Sequence, residues 1–298
     1  MPSLGSRTTS YLLKRLVKTP GSKDAGVKSV RLAVNAFTQL TPCQRDVSVK
    51  KRGRGEWILP RILKDEKSLI YYIHGGGYFF GSPQTHRPLT TRLAKLSGTK
   101  LFALRYRLAP EHLFPAPVHD AVQGYRELLE QGFKAEHIVM AGDSAGGGLV
   151  LATLAALRDS KMPLPAGAVC FSPWTDLAIT GESIAHNEET CAMFRATSLE
   201  RAARQYLASE SPLNPLASPL YADLSGFPPL LVQASDTEIL LTDSTRLVEK
   251  ARLVGVEAEL QLYQDLPHVW QIFSYLPEAS HSLNRAATRI QEWTQKAV

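Results

Sequence analysis

A serine framed by small residues is the strongest candidate for chemistry in this chain. The run GDSAGG at 142–147 places Ser144 between Gly142 and Gly146, after an apolar run that predicts a strand and before a helical pattern. In this strand–turn–helix context GxSxG sets the serine in a sharp turn with its hydroxyl exposed, where the flanking positions have no room for side chains. The start of the following helix favours a developing negative charge. The pattern predicts a nucleophilic serine.

A glycine triplet follows another apolar run. The tetrapeptide HGGG at 74–77 comes directly after the run at 69–73, and the aromatic run YFF at 78–80 follows it. Backbone N–H groups converge on an oxyanion only where side chains do not intrude, so the glycines predict an oxyanion hole. A phosphate-binding turn is the alternative for either glycine-rich run, but GxGxxG and GxxxxGK[ST] are both absent from the sequence.

Carboxylates and a late histidine follow two further predicted strands. One loop offers Asp236, Glu238 and Asp243, and a later loop offers His268. A serine nucleophile needs a histidine as general base, and the second ring nitrogen of that histidine must bond an acid. The serine, one of these acids and His268 then follow the α/β-hydrolase order of serine, acid, histidine. The other histidines precede the acids, except His281, which lies near the closing helix.

Alternating strands and helices must position these side chains. Apolar runs predict eight strands, at 46–50, 56–60, 69–73, 100–106, 137–141, 166–171, 229–234 and 258–263. Helical spacing predicts helices at 27–40, 118–131, 148–158 and 284–296. Strands that alternate with helices form right-handed βαβ units and a mostly parallel sheet, whose ligands bind beyond the carboxyl ends of the strands. The candidate residues lie at those ends.

The interval at 180–222 interrupts this alternation, because it is polar and helical and then rich in proline. Such an interruption predicts an inserted lid or cap. We expect N-terminal cap helices at 1–45, a catalytic core at 46–179 and 223–298, and a cap insertion at 180–222.

Composition excludes several classes of protein. With 298 residues, 44% of them apolar and 21% charged, the chain is neither disordered nor too short for a large core. No stretch approaches the roughly 20 apolar residues of a membrane-spanning helix. The three cysteines form no CxxC, which argues against a disulfide framework or zinc finger and favours a reducing compartment. Because no secretory signal is visible either, we expect a cytoplasmic protein.

The net charge of +6 is concentrated in two places, the first 23 residues, which contain no acid, and the run KKRGR at 50–54. An excess of basic residues permits binding to nucleic acid or to an anionic surface. No aromatic residues are interleaved with the basic clusters, so we expect no nucleic-acid partner. An amphipathic helix is predicted from Ser10 up to Pro20-Gly21. Four apolar residues are expected on one face of it: Leu12, Leu13, Leu16 and Val17.

The sequence resembles the hormone-sensitive-lipase-like carboxylesterases, also called microbial family IV esterases. HGGG and GDSAGG match in order, as do YRLAPEHLFPAPVHD at 106–120, SPWTDL at 172–177, SPLYADLSGFPPLLVQ at 218–233 and EILLTDS at 238–244. The resemblance covers nearly the whole chain from about Asp46. It implies an α/β-hydrolase fold with a mostly parallel eight-stranded sheet, flanking helices and a helical cap. It also implies hydrolysis of short- to medium-chain carboxylic esters without a metal or organic cofactor, and a homodimer.

The resemblance implies roles for the triad. Ser144 takes the place of the nucleophile and His268 that of the base. The family usually carries its acid as the first Asp of Asp-Pro-Leu-x-Asp, whereas this chain aligns Glu238 there, as in a subgroup with EILL-type motifs. Asp236, two residues nearer the strand, remains an alternative, and Asp243 is expected to make a structural hydrogen bond.

The oxyanion hole implied by the same motifs is formed by the backbone N–H groups of Gly76, Gly77 and Ala145. Candidates for the substrate pocket are Tyr78, Phe80, Asp143, Trp174 and Leu240. Plain core packing is the alternative for each aromatic residue, and Asp143 either orients the HGGG loop or lines the pocket.

Other functions on the same scaffold are a lipase, an amidase, a deacetylase or a ligand receptor. A lipase needs a larger apolar cap surface than this polar insertion offers. Receptors of this type have lost the catalytic histidine, which this chain keeps as His268. Ester and amide chemistry use the same triad, so the motifs do not separate an esterase from an amidase.

Overall fold

The computed structural model describes residues 2–18, 26–39, 44 and 46–295. Within them one eight-stranded sheet runs in the order β1-β2-β4-β3-β5-β6-β7-β8. The strands are β1 (Val47–Arg52), β2 (Gly55–Pro60), β3 (Leu69–Ile73), β4 (Lys100–Leu104), β5 (Ile138–Asp143), β6 (Gly167–Phe171), β7 (Leu230–Ser235) and β8 (Ala258–Tyr263). β2 pairs antiparallel with both β1 and β4, and all other neighbours are parallel. The predicted mostly parallel sheet is confirmed.

The described residues form nine helices. They are α1 (Leu4–Leu13), α2 (Val27–Gln39), α3 (Arg87–Ser97), α4 (Ala116–Glu130), α5 (Ala145–Asp159), α6 (Ser183–His186), α7 (Ala196–Leu207), α8 (Leu241–Leu253) and α9 (Pro277–Gln295). A π-helical turn, Lys14–Lys18, continues α1. α6 and α7 lie in the interval between β6 and β7 where the sequence predicts a cap insertion.

The two faces of the sheet have separate cores because successive side chains of a strand point to opposite sides. Ile70 and Tyr72 of β3 pack with α3 and α9 on one face. Leu69, Tyr71 and Ile73 pack with α4, α5 and α8 on the other. A strand buried on both faces has no polar alternation, and for this reason β3 appears in the sequence as a continuous apolar run.

Two helices, α3 and α8, are absent from the sequence-based prediction. Both contain threonine or serine, which have low intrinsic helix propensity, and packing against the sheet overrides that preference. α5 begins earlier than predicted, at Ala145, and α9 begins at Pro277 rather than near Asn284.

The first helix begins six residues earlier than the predicted start at Ser10, and three of its four predicted apolar residues are exposed. The helix begins at Leu4, where the hydroxyl of Ser3 accepts a hydrogen bond from the amide of Ser6. Leu13 packs against the cluster around Leu266 and Trp270, whereas Leu12, Leu16 and Val17 point outward. The predicted stop at Pro20-Gly21 lies outside the described residues.

The described part of the chain contains no helix long and apolar enough to span a bilayer.

Cys170 and Cys191 are buried free thiols, and Cys43 lies outside the described residues.

Candidate active site

The candidate nucleophile lies in the turn between β5 and α5. Ser144 has φ 52° and ψ −125°, a strained conformation that the surrounding structure must enforce. A Cβ on Gly146 would lie 2.2 Å from the carbonyl oxygen of Ile73, and one on Gly142 would lie 2.6 Å from that of Gly146. Only glycine therefore fits at these positions. The Ser144 carbonyl accepts a hydrogen bond from the amide of Trp174 at 2.9 Å, while the serine itself is only partly buried.

The HGGG loop after β3 presents two glycine amides, those of Gly76 and Gly77. Gly76 and Gly77 have φ values of +115° and +57°, which favour glycine. The amides of Gly76, Gly77 and Ala145 donate to no acceptor among the described residues. Preorganised N–H groups of this kind are suited to stabilising a negative oxygen in a transition state.

Asp143 holds the HGGG loop in place. Its carboxylate accepts hydrogen bonds from the Tyr72 hydroxyl at 2.6 Å and from the Gly75 amide at 3.0 Å. Nε2 of His86 lies 3.2 Å from its other oxygen. Burial raises the pKa of Asp143, but the His86 charge and the hydrogen bonds outweigh it and lower the pKa below its usual value. Burial lowers the pKa of His86, and the Asp143 carboxylate reverses this to a net rise.

His74 stays neutral beneath the loop. Burial, followed by the charge of His86, lowers the pKa of His74 to about 3. Its Nδ1 lies 2.8 Å from the carbonyl oxygen of Gly75, and its ring stacks on Tyr106 with centroids 4.3 Å apart. The Tyr106 hydroxyl donates to the His74 carbonyl at 2.8 Å. These contacts tie the first residue of the HGGG loop to the segment after β4.

The structure brings His268 and Glu238 together at the ends of β8 and β7. Nδ1 of His268 lies 2.5 Å from Oε2 of Glu238, and both side chains are buried. The other Glu238 oxygen accepts the amide of Ser235 at 2.9 Å, which fixes the carboxylate. Nε2 of His268 has no hydrogen-bond partner within the described part of the chain. The imidazole is thus oriented at one nitrogen and free at the other.

The other two acids lie elsewhere. Asp236 is exposed and accepts the amide of Asp265 at 2.7 Å. Asp243 is buried and accepts the amides of Thr175 and Asp176 at 2.7 and 2.9 Å. Neither carboxylate contacts the imidazole of His268 in the described structure.

The predicted pocket residues are buried or half-buried. Tyr78 and Trp174 are buried, and their ring centroids lie 6.1 Å apart. Leu240 is buried as well, and Phe80 is half-buried. Asp143 is buried behind the HGGG loop, where it bonds the loop as described above.

Several residues of the site carry no motif and are absent from the sequence-based prediction. Phe194, between β6 and β7, packs edge-on against His268, with ring centroids 5.1 Å apart at 74°. Tyr206 of α7 stacks on Tyr78 at 3.9 Å. Arg31 of α2 donates to the carbonyls of Phe79 and Ala109, at 2.8 and 2.9 Å. Packing between distant segments makes these contacts, and the only local signal is the aromatic type of two of the residues.

The described residues contain no group of three or more His, Cys, Asp or Glu side chains placed to hold a metal ion.

Comparisons with known proteins place the chain in a family. A family model for the alpha/beta hydrolase fold matches residues 70–272. An acetyl-hydrolase of Streptomyces hygroscopicus is 41% identical over 263 residues, covering 88% of this chain and 87% of that protein. An esterase of Acinetobacter venetianus is 35% identical over 281 residues, covering 92% of each. The crystal structure of an esterase from the bacterial hormone-sensitive lipase family is similar with a TM-score of 0.94, 38% identity and 99% coverage of both chains.

Proposed function

The chain belongs to the hormone-sensitive-lipase-like family of α/β-hydrolases, and from this premise we propose that it hydrolyses carboxylic esters through a covalent acyl-enzyme. The protein is a serine carboxylesterase. The observation that carries the proposed mechanism is the buried Glu238–His268 pair, which orients the imidazole and leaves Nε2 without a hydrogen-bond partner among the described residues.

In the proposed mechanism, Ser144 Oγ attacks the ester carbonyl carbon while Nε2 of His268 takes its proton. The carbonyl oxygen becomes an oxyanion that accepts hydrogen bonds from the amides of Gly76, Gly77 and Ala145. Collapse of this intermediate breaks the bond to the alcohol oxygen, which receives the proton from His268. A water molecule, deprotonated by the same imidazole, then attacks the acyl group and regenerates the serine.

Glu238 supports the charged intermediate. A carboxylate bonded to Nδ1 selects the tautomer with a free Nε2 and stabilises the imidazolium that forms when the serine proton arrives. Asp143 and His86 act indirectly, because Asp143 accepts the Gly75 amide of the oxyanion loop and His86 in turn contacts the Asp143 carboxylate.

Small acyl groups are the proposed substrates. Buried aromatic side chains fill space beside the first turn of α5, where a Cβ on Gly148 would lie 2.1 Å from the Trp174 carbonyl and 3.1 Å from the Tyr78 hydroxyl. Tyr206 closes the same region by stacking on Tyr78. The name of the acetyl-hydrolase relative is consistent with a small acyl group. We keep the predictions of a cap formed by residues 1–45 and 180–222, of a cytoplasmic location, and of a homodimer.

The test is the turnover of p-nitrophenyl esters from acetate to palmitate, with Ser144→Ala as the paired control. We expect the highest kcat/KM at short chains and a loss of roughly 10⁶-fold in kcat for the variant, with thermal unfolding unchanged. Activity retained in Ser144→Ala would refute the acyl-enzyme mechanism. A peak at the longest chains would instead indicate a lipase.

A further inference from the structure

The first helix is oriented against its own amphipathicity. On α1 and the turn that follows, Ser6 and Thr9 are 0% and 6% exposed, whereas Leu4 and Leu16 are 80% and 70% exposed. Helices normally bury their apolar stripe and expose polar residues. An exposed apolar surface on a folded protein often marks a binding site. The exposed leucines therefore make the outward face of this helix a candidate binding surface.

Polar contacts fix this orientation. The amide and hydroxyl of Ser3 donate to the Glu278 carboxylate at 2.5 and 3.0 Å, and the hydroxyls of Thr9 and Tyr275 lie 2.9 Å apart. At the other end, the Lys18 ammonium donates to the carbonyls of Glu188 and, at 3.0 Å, Cys191. The helix is therefore anchored at both ends, with Leu4, Leu12 and Leu16 turned away from the core and Leu13 packed against it.

Cations flank the exposed leucines. Residues 2–18 contain four basic side chains and no acid. Arg7 and Arg15 are exposed. Tyr11 and Arg15 follow Leu4 at the spacings that keep residues on one helix face, and the Arg15 guanidinium lies over the Tyr11 ring at 5.4 Å. The outward face thus combines leucine, tyrosine and arginine.

We propose that this face docks on an anionic lipid surface. Shallow insertion of leucine and tyrosine, together with attraction of arginine to acidic headgroups, is the binding mode of interfacial amphipathic helices. Pairing with a second copy of the chain through this face fits less well, because it would bring the cations of both copies together with no acid from either helix. The inference goes beyond the proposed hydrolysis and does not depend on it.

Co-sedimentation of the full chain with vesicles tests the proposal. We expect binding to phosphatidylcholine vesicles that contain phosphatidylglycerol, weaker binding as salt is added, and little binding to pure phosphatidylcholine. Arg7→Gln together with Arg15→Gln should weaken binding by about fivefold per charge removed. Leu4→Ser with Leu16→Ser should weaken it by at least about tenfold.

Matched controls separate this face from other surfaces. Lys50→Gln with Lys51→Gln removes the same charge from the other basic cluster, and Leu253→Ser removes a leucine that is 81% exposed on α8. Both should bind vesicles like the wild type. Ser144→Ala should also bind normally, and the α1 variants should keep their thermal unfolding and their turnover of p-nitrophenyl acetate.

Three results would overturn the proposal. They are no binding of the wild type to anionic vesicles, equal loss of binding in the Lys50 and Lys51 control, and lipid-independent self-association that the Leu4 and Leu16 variant abolishes.

Discussion

Glu238 and Asp236 lie two residues apart in one loop, yet only Glu238 reaches the imidazole of His268. Asp236 instead accepts the amide of Asp265 at the surface. The difference follows from where the chain turns after β7, because the Ser235 amide donates to the Glu238 carboxylate and holds it inward. The glutamate at position 238, one methylene longer than an aspartate, reaches Nδ1 of His268.

Isosteric amides at these two positions give a paired prediction. Glu238→Gln should lower kcat by on the order of 10³ to 10⁴, because a neutral amide neither selects the required tautomer nor stabilises the imidazolium. Asp236→Asn should stay within about threefold of the wild type, since it changes an exposed loop contact. Steady-state kinetics on p-nitrophenyl acetate measure both. The reverse ranking would assign the acid to Asp236.

Sequence motifs predict some residues of the site and miss others. The serine, the glycine loop and the late histidine are visible in the sequence because tight turns and free amides demand particular residue types. His86 and Phe194 belong to no such turn. Their contacts with Asp143 and His268 arise from tertiary packing, which spacing along the chain does not encode.

Among the elements, strands are easier to predict than the helices that cover them. β8 spans the predicted residues, and β3 does too, because buried strands are compact apolar runs with turn residues at their ends. α1 shows the opposite case. Its leucines predict an amphipathic helix from Ser10, but the helix begins at Leu4, and the hydrogen bonds of Ser3 and Thr9 to the segment after His268 fix an orientation in which Leu12 and Leu16 are exposed.

The turn after α1 also supports the segment that carries Phe194. The Lys18 ammonium donates to two backbone carbonyls, those of Glu188 and Cys191, and the Phe194 ring lies three residues further on against His268. A buried ammonium that holds two carbonyls stabilises them more strongly than a neutral donor does. This connection links the first helix to the interval between β6 and β7.

Lys18→Met should loosen that segment. Methionine keeps an apolar side chain of similar length but leaves the two carbonyls unpaired, at a cost of about 1.5–3 kcal/mol. We expect faster amide hydrogen exchange in residues 188–194 and a several-fold lower kcat/KM, with global unfolding affected less. Lys28→Met, on the exposed side of α2, is the control and should change neither quantity. Unchanged exchange in 188–194 would show that the contact does not hold the segment.

At the scale of the whole molecule, the sheet aligns the ends of four neighbouring strands. The Ser144 amide donates to the Phe171 carbonyl, and the Ser172 amide donates to the Gln233 carbonyl, at 2.9 and 2.7 Å. Backbone bonds thus connect the ends of β5, β6 and β7, and β8 follows at the edge. The sequence predicts parallel strands, but the strand order comes from long-range pairing and is visible only in the structure.

Asp243 makes the stability of the folded protein depend on pH. Burial, with a smaller contribution from the charge of Asp176, raises the pKa of Asp243 to about 7, although two backbone amides donate to it. In the unfolded chain this carboxyl ionises near 3.8. Between these values the unfolded state binds fewer protons, so this residue makes stability fall as pH rises. The loss of stability from Asp243 is complete once the pH exceeds its pKa in the folded protein.

Asp243→Asn should remove that component of the pH dependence. The amide oxygen can still accept the amides of Thr175 and Asp176, but it does not ionise. Relative to the wild type, the variant should gain up to about 4 kcal/mol of unfolding free energy between pH 4 and pH 8, whatever its absolute stability. Urea unfolding of both proteins across that range measures the difference, and other titrating groups cancel because they are common to both. Parallel stability curves for the two proteins would mean that Asp243 is already ionised in the folded state at acidic pH.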